Sequence, residues 1–508
     1  MSFINAQNCR EILANEDAPV LYAYRRDGRV EISTQPEAEG TLLFQMPNLT
    51  ARDFGDPAFK ADYGLEYALY GGAMANGIAS ADMVIALGNA GFMGSYGAGG
   101  MSLEAISDAI DKIQNSLGRK PYLINMLSNR DAEAEMKLAR LLVEKQVPAV
   151  EASAYIVPSE ALLYYRLKGI REDENGTPIP ARKIIAKVSR EEVLEKFVSP
   201  PDPSAVAALV KAGLLTEAEA GLAPRVPVAD DVTVEADSGG HTDGRPLVSM
   251  LPALIALTNR LQARYGYAKK VRVGAGGGIG TDASCLAAFQ MGAAYVVTGS
   301  VNQACVEAGT SDYVKQVLAQ TAMADVMMAP CADMFESGTK VEVIKKGTMY
   351  PQNAQKLYEY YTKYPSFDAI PAADRERIEK RILKDTFAGV WQSTKEYFAK
   401  ADPAKIAKAE ADPKMKMALV FRWYLGNSSR WAVRGEKSRQ LDMQIWCGQS
   451  MGAFNLWVKG TPLEPVENRR VAIVAQTLMQ SCAYRYVRAS LQMIGVDTTP
   501  FAEDCVGN

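Results

Sequence analysis

The chain predicts an α/β fold of the (β/α)8 barrel type, with an insertion between strands five and six and a mostly helical C-terminal domain. Three observations carry this reading. Between about Leu65 and Val301, short apolar or β-branched runs alternate with helical patterns, which implies a parallel sheet with helical crossovers. Eight such units in about 235 residues match the usual size of a closed barrel, roughly 250 residues. The densest glycine run follows the seventh strand, whereas an open doubly wound sheet carries its glycine fingerprint after the first.

The strands fall near 66–71, 92–96, 121–126, 148–152, 182–187, 231–236, 271–275 and 294–298. The clearest helix runs from Ser102 to Leu117, with Leu103, Ile106, Ile110, Ile113 and Leu117 on one face. Ser102 suits its N-cap and Gly118 its end. Ala134–Lys145 repeats the pattern with Leu138, Leu141 and Leu142. Residues 189–230 exceed a normal crossover and hold two short helical patterns around a proline-rich SPPDPS; we read them as an insertion, a lid over the barrel mouth. KVEVIKK (340–346) reads as one more strand or an edge piece. Helical periods then dominate through 374–400, 404–426 and 469–494. The expected division is an N-terminal arm or small subdomain over 1–60, the barrel over 61–350 and a helical domain over 351–508.

The 508 residues are 48% apolar and 23% charged, ordinary for a globular protein with a large core. A formal net charge of −3 argues against bulk electrostatic binding to nucleic acid. No apolar run reaches transmembrane length, and Met1–Asn15 lacks the layout of a signal peptide. The cysteines (Cys9, Cys285, Cys305, Cys331, Cys447, Cys482 and Cys505) are odd in number and scattered without a CxxC pair. That fits a reducing, cytoplasmic compartment and signals no metal site.

Barrel active sites lie at the C-terminal ends of the strands. Strand seven ends in VRVGAGGGIGTDAS (271–284), where Gly276, Gly277, Gly278 and Gly280 leave backbone N–H groups open and Thr281 caps the following helix. Strand eight ends near Gly299 and Ser300. Two such loops in the positions where barrels hold a phosphate outweigh the plainer reading of tight turns. Ile279 breaks the GxGxxG pattern, so the dinucleotide fingerprint is absent. Strand six ends in VEADSGGHTDGR (234–245), which crowds Asp237, Ser238, Asp243 and the chain's single histidine, His241, into one loop. Beside two glycines, His241 reads as a proton carrier or carbonyl donor rather than a solvent-exposed loop residue. Lys187, closing strand five, has two equal readings: a partner for phosphate or for an anionic flavin, and a structural ion pair with Glu235 or Asp237. Asn125, ending strand three, suits a uracil-like edge or a turn.

Several stretches together resemble a known family. LYGGAMANGIASADMVIALGNAGFMG (69–94), SGGHTD, GAGGGIG and TGS resemble the nitronate monooxygenase and flavin-dependent enoyl-ACP reductase superfamily. EADSGGHTD, VTGSVNQACVEAGTSD (297–312), APCADMFE (329–336) and FRWYLGNSSRW (421–431) resemble its PfaD type, the trans-acting enoyl reductases of polyunsaturated fatty acid and polyketide synthases. Asp237-Ser238 lengthens the superfamily's EAGGH pattern. The resemblance implies FMN, NADPH as hydride donor, and a 2-enoyl thioester carried on an acyl carrier protein. It carries the flavin contacts onto Met74, Asn125, Lys187, Gly277, Gly278, Gly299 and Ser300, and the active-site histidine onto His241. Two rivals stand beside it: nitronate oxidation on the same scaffold, and a flavin-binding accessory component of a synthase. Arg422, Arg430, Arg434, Lys437 and Arg439 among Trp423, Tyr424 and Trp431 read as a solvated helix face or as a dock for an acidic carrier protein. A homodimer is the expectation on symmetry grounds.

Overall fold

The computed structural model describes residues 3–4, 20–129 and 131–493. Cys9, Cys505 and all of Met1–Asn15 except residues 3–4 lie outside them. The chain divides into two compact units, one of residues 1–237, 243–308 and 453–508, the other of residues 238–242 and 309–452.

The first unit is a closed parallel barrel. Its strands are β1 (Leu69–Gly71), β2 (Met93–Tyr96), β3 (Leu123–Leu127), β4 (Ala149–Ser153), β5 (Lys183–Val188), β6 (Asp231–Glu235), β7 (Arg272–Gly276) and β8 (Val296–Thr298), each paired with the next and β8 with β1. All eight lie within three residues of their expected limits. Alternate residues face opposite sides of a strand. One set, with Tyr70, Met93, Leu123, Ala149 and Ile185, packs with Phe59, Tyr63 and Tyr295 inside the barrel. The other set, with Leu69, Ile124, Val150, Ile184, Val232 and Val234, packs under the helices. Gly274 leaves the slot that the Tyr295 ring fills, since a Cβ there would stand 2.2 Å from the ring.

Local chemistry sets the helix limits. Ser102 caps Leu103–Leu117 by accepting from the Ala105 N–H, and Gly118 takes a positive φ at its end. Ile106, Ile110, Ile113 and Leu117 are buried as expected, whereas Leu103 is exposed. The N-terminal segment is an antiparallel sheet of Val20–Arg26, Arg29–Ser33 and Thr41–Pro47, joined by Phe3–Ile4. Leu21, Ala23, Ile32 and Met46 pack on Tyr484, Val487 and Leu491 of the helix Val471–Met493.

Two expectations change here. The insertion does not cover the barrel mouth. Its helices Glu191–Val198, Pro203–Lys211 and Glu217–Leu222 bury Val206 and Leu209 in the outer core. Glu219 accepts from the Gly169 N–H at 2.7 Å and from Lys168 at 3.2 Å, and Arg225 pairs with Glu172. Those partners follow the helix Glu160–Leu167 in the connection that leads into β5, at the entry side of the strands. The helical domain is also bounded differently from 351–508. Val474, Leu478 and Cys482 of the last helix belong to the barrel's outer core, and Arg485 pairs with Asp282 at 2.6 Å.

The second unit starts near Gly309 rather than 351 because a hairpin supplies part of its core. In that hairpin β9 (Val326–Pro330) pairs antiparallel with β10 (Lys340–Ile344). Ala329, Val341 and Val343 pack with Leu357, Ile382, Trp391, Phe421 and Leu425 from its helices. The expected helix over 404–426 is two, Pro403–Ala411 and Pro413–Arg434. Pro413 cannot donate to the preceding turn, and Asp412 caps the new helix by accepting from the N–H groups of Lys414 and Met415. The stretch 374–400 likewise breaks at Lys384, whose φ is 56°. No described helix is long and apolar enough to cross a membrane.

Candidate active site at the strand ends

Inward-facing positions near the C-terminal ends of β3 to β6 are polar. Asn125, Glu151, Lys187 and Glu235 share the strand alternation of Leu123, Ala149, Ile185 and Thr233. Lys187 Nζ lies 2.6 Å from Glu235 Oε1 and 3.7 Å from Glu151 Oε1. Burial disfavours its ammonium form, but the two carboxylates outweigh that and hold its pKa above the ordinary lysine value. The ion-pair reading of Lys187 therefore holds for Glu235, and Glu151 joins it. Glu151 is fully buried; its Oε2 accepts from the Ala73 N–H at 3.0 Å, while Oε1 takes no hydrogen bond. Sequence reading passed over Glu151, although a glutamate inside the apolar run PAVEAS is itself a signal.

Asn125 is placed beside this group. Its Nδ2 donates to the Glu151 carbonyl and to Ser153 Oγ, both at 3.0 Å, which leaves Oδ1 as an acceptor. Ser95 Oγ, on the same inward register of β2, is buried without a partner. Met74 lies in the turn after β1, its carbonyl accepting from the Ala79 N–H at 3.1 Å. Only glycine fits at Gly97, where a Cβ would stand 1.7 Å from that carbonyl oxygen.

The two glycine loops differ residue by residue. Gly277 and Gly278 both have positive φ, 86° and 75°. A Cβ on Gly277 would meet the Ala236 carbonyl at 2.7 Å, whereas Gly278 and Gly299 face open space, with nothing within 4 Å. The N–H groups of Gly280 and Thr281 are not open to a ligand: both donate to Ser284 Oγ, at 3.0 and 2.9 Å. Ser284 completes a capping box with Thr281, so that part of the loop serves the helix start. Ser300 opens a short helix, Ser300–Gln303, with Gly299 as its N-cap.

The strand-six loop is divided, not crowded at one place. Asp243 stays with the barrel unit, where it accepts from Ser189 Oγ at 2.7 Å and from Arg190 at 2.9 and 3.0 Å. Those hydrogen bonds from Arg190 hold its pKa down at about 2. Ser238–Thr242 cluster with the second unit. Gly240 exchanges two backbone hydrogen bonds with Glu342 of β10, at 3.0 and 2.7 Å, and Gly239 lies tight against the backbone of Cys447 and Gly448. His241 is half exposed, its Nε2 at 3.8 Å from both Cys331 Sγ and Asp333 Oδ2. Burial pushes the Cys331 thiol up to about 12, so it faces the imidazole as a neutral thiol.

The basic cluster in the second unit is smaller than expected. Arg422 pairs with Glu336 at 3.1 Å. Arg439 donates to the Ile382 and Leu383 carbonyls and lies over the Trp431 ring at 4.4 Å. Arg430, Arg434 and Lys437 remain exposed.

Comparison with known proteins adds the family. The nitronate monooxygenase family model matches residues 60–363, and a model described as acyl-carrier-protein S-malonyltransferase, inserted helical domain, matches residues 364–443. A polyunsaturated fatty acid synthase component of Thraustochytrium sp. is 44% identical over 483 residues, 94% of this chain and 32% of that protein. Polyketide biosynthesis protein PksE of Bacillus subtilis is 42% identical over 473 residues, 93% of this chain and 61% of that protein. The chain thus spans less than two thirds of either relative. The enoyl reductase domain of MlnA, from the macrolactin biosynthesis cluster of Bacillus amyloliquefaciens, superposes with a TM-score of 0.83 at 40% identity, over 87% of this chain and 99% of that one. FabK from Thermotoga maritima shares the fold, with a TM-score of 0.51 at 18% identity over 86% of this chain and 98% of that one. With a family model covering more than half of its length and a solved relative matched almost end to end, this chain belongs to the nitronate monooxygenase family of flavin-dependent oxidoreductases, in its PfaD-type enoyl reductase branch.

Proposed function

We propose that the chain is an FMN-dependent enoyl reductase that takes hydride from NADPH and reduces the 2,3 double bond of enoyl thioesters presented in trans on an acyl carrier protein. The likeness to the MlnA enoyl reductase domain carries this reading, because it extends over nearly all of that domain at 40% identity. Relatives in polyketide biosynthesis and in a polyunsaturated fatty acid synthase support the carrier-bound substrate. A soluble homodimer in the cytoplasm is part of the same proposal.

The residues present fit FMN. Gly278 and Gly299 offer backbone with open space for a phosphate. Asn125 Oδ1 is an unused acceptor, and Ser95 Oγ a buried hydroxyl without a partner. Met74, Asn125, Lys187, Gly277, Gly278, Gly299 and Ser300 are the proposed contacts. FMN, when bound, supplies the hydride chemistry; the protein supplies position and electrostatics. Asn125 orients the ring edge through its amide. Hydride arriving at the β-carbon of the enoyl thioester builds negative charge on the thioester oxygen, which a donor must meet. His241 is the proposed donor there, and the proposed source of the proton for the α-carbon.

The test is anaerobic. The purified protein is reduced with NADPH, a crotonyl thioester on an acyl carrier protein is added, and flavin absorbance is followed. The expected result is rapid return of the oxidised spectrum with butyryl thioester as product. Flavin that stays reduced until oxygen is admitted supports nitronate oxidation instead, the reading that the family model's description favours. Protein that takes up no FMN refutes both.

A further inference from the structure

Of the two readings of Lys187, a partner for phosphate or an anionic flavin and a structural ion pair, the structure shows the ion pair, and it holds one carboxylate more than the ammonium balances. Two carboxylates, Glu235 at 2.6 Å and Glu151 at 3.7 Å, flank one ammonium. Two carboxylates against one ammonium give this layer of the barrel a formal net charge of −1. Glu151 holds the deepest of these charges. It is fully buried, one oxygen is satisfied by the Ala73 N–H, and the other takes no hydrogen bond. A buried carboxylate with an open acceptor is costly. Its charged partner, Lys187, already has a closer carboxylate in Glu235, so a second acid is not needed to balance the ammonium. Fields act strongly where protein excludes water, and a flavin gains negative charge when reduced to its anionic form.

We infer that Glu151 is a positioning residue: it pins Lys187 between two carboxylates and makes the inner layer of the mouth net negative, so that the reduced FMN is destabilised and becomes the stronger hydride donor. This rests on the FMN-dependent reading above. Electrons and protons balance as in that reaction: NADPH supplies the hydride, and the enoyl thioester accepts it with one proton. Glu151 neither gives nor takes either.

The experiment is a redox titration of the FMN-loaded protein against a reference dye, for wild type, Glu151→Gln, Glu235→Gln and Lys187→Met. Removing either carboxylate charge should favour reduced over oxidised FMN at least tenfold, a shift of about 30 mV towards positive potential for a two-electron couple. Lys187→Met should move the potential the other way. Glu151→Gln keeps the side chain's shape; should it fail to fold, Glu235→Gln and Lys187→Met still decide by the signs of their shifts. Unchanged potentials in a wild type and variants that still turn over crotonyl thioester overturn this inference and leave the enoyl reductase reading intact. A wild type that binds no FMN overturns both.

Discussion

Two adjacent glycines separate what the fold needs from what a ligand needs. Gly277 and Gly278 both hold left-handed backbone, at 86° and 75°. An alanine in that region costs about 1–2 kcal/mol. At Gly277 the new Cβ would also stand 2.7 Å from the Ala236 carbonyl and 2.8 Å from that of Asp237. Both obstacles are backbone, so relief requires shifting the end of β6, and overpacking of this kind adds about 1–3 kcal/mol. Gly277→Ala should therefore destabilise the apoprotein by about 2–5 kcal/mol. Gly278→Ala meets no atom within 4 Å, so only the conformational cost of about 1–2 kcal/mol remains. Its methyl group would instead occupy the space proposed for the phosphate, and FMN affinity should fall at least tenfold, about 1.4 kcal/mol. Urea titration by far-UV circular dichroism without FMN, and FMN titration by fluorescence quenching, read the two effects apart. Equal destabilisation by the two variants would refute the packing argument. Undiminished FMN affinity in Gly278→Ala would refute the placement of the phosphate.

Three further outcomes are expected. The Asp243 carboxyl, held at about 2 by Arg190, ionises more readily folded than unfolded, where it titrates near 3.9. Its contribution to stability is therefore complete above about pH 4 and lost as pH falls towards 2, and Asp243→Asn should flatten the fall in melting temperature across that window. His241→Ala should lower turnover of carrier-bound crotonyl thioester by about a hundredfold or more while leaving reduction of the flavin by NADPH intact, and stopped-flow absorbance separates these half-reactions. Arg430→Glu with Arg434→Glu should raise KM for the carrier-bound substrate, with kcat and the KM for a crotonyl pantetheine thioester unchanged; equal effects on both substrates would mark the patch as a solvated surface.

Much of the barrel was legible because its signals are local. Alternation of apolar residues, Ser102 before a helix and Gly118 after it need only near neighbours along the chain. The glycines of strand seven were legible as a loop, but not which of them serve a ligand: Gly280 and Thr281 spend their N–H groups on Ser284, four and three residues away. Charged residues were harder. Arg422 and Arg439 read as surface cations, yet Glu336 lies 86 positions from one and the Ile382 carbonyl 57 from the other. Glu151 draws its meaning from Lys187 on the neighbouring strand and from the Ala73 N–H, 78 positions away, partners that only the folded barrel brings to it.

By itself, the sequence determined the eight strands, their order along the chain and the loops at their C-terminal ends, since hydrophobic period and turn chemistry act within a few residues. The tertiary structure alone decided that Glu219 and Arg225 of the insertion pack at the entry side, that the last helix joins the barrel unit, that Ser238–Thr242 go with the second unit, and that Lys187 lies between two carboxylates. Each of these rests on burial or charge pairing between residues far apart in sequence, and such partners exist only once the chain has closed on itself.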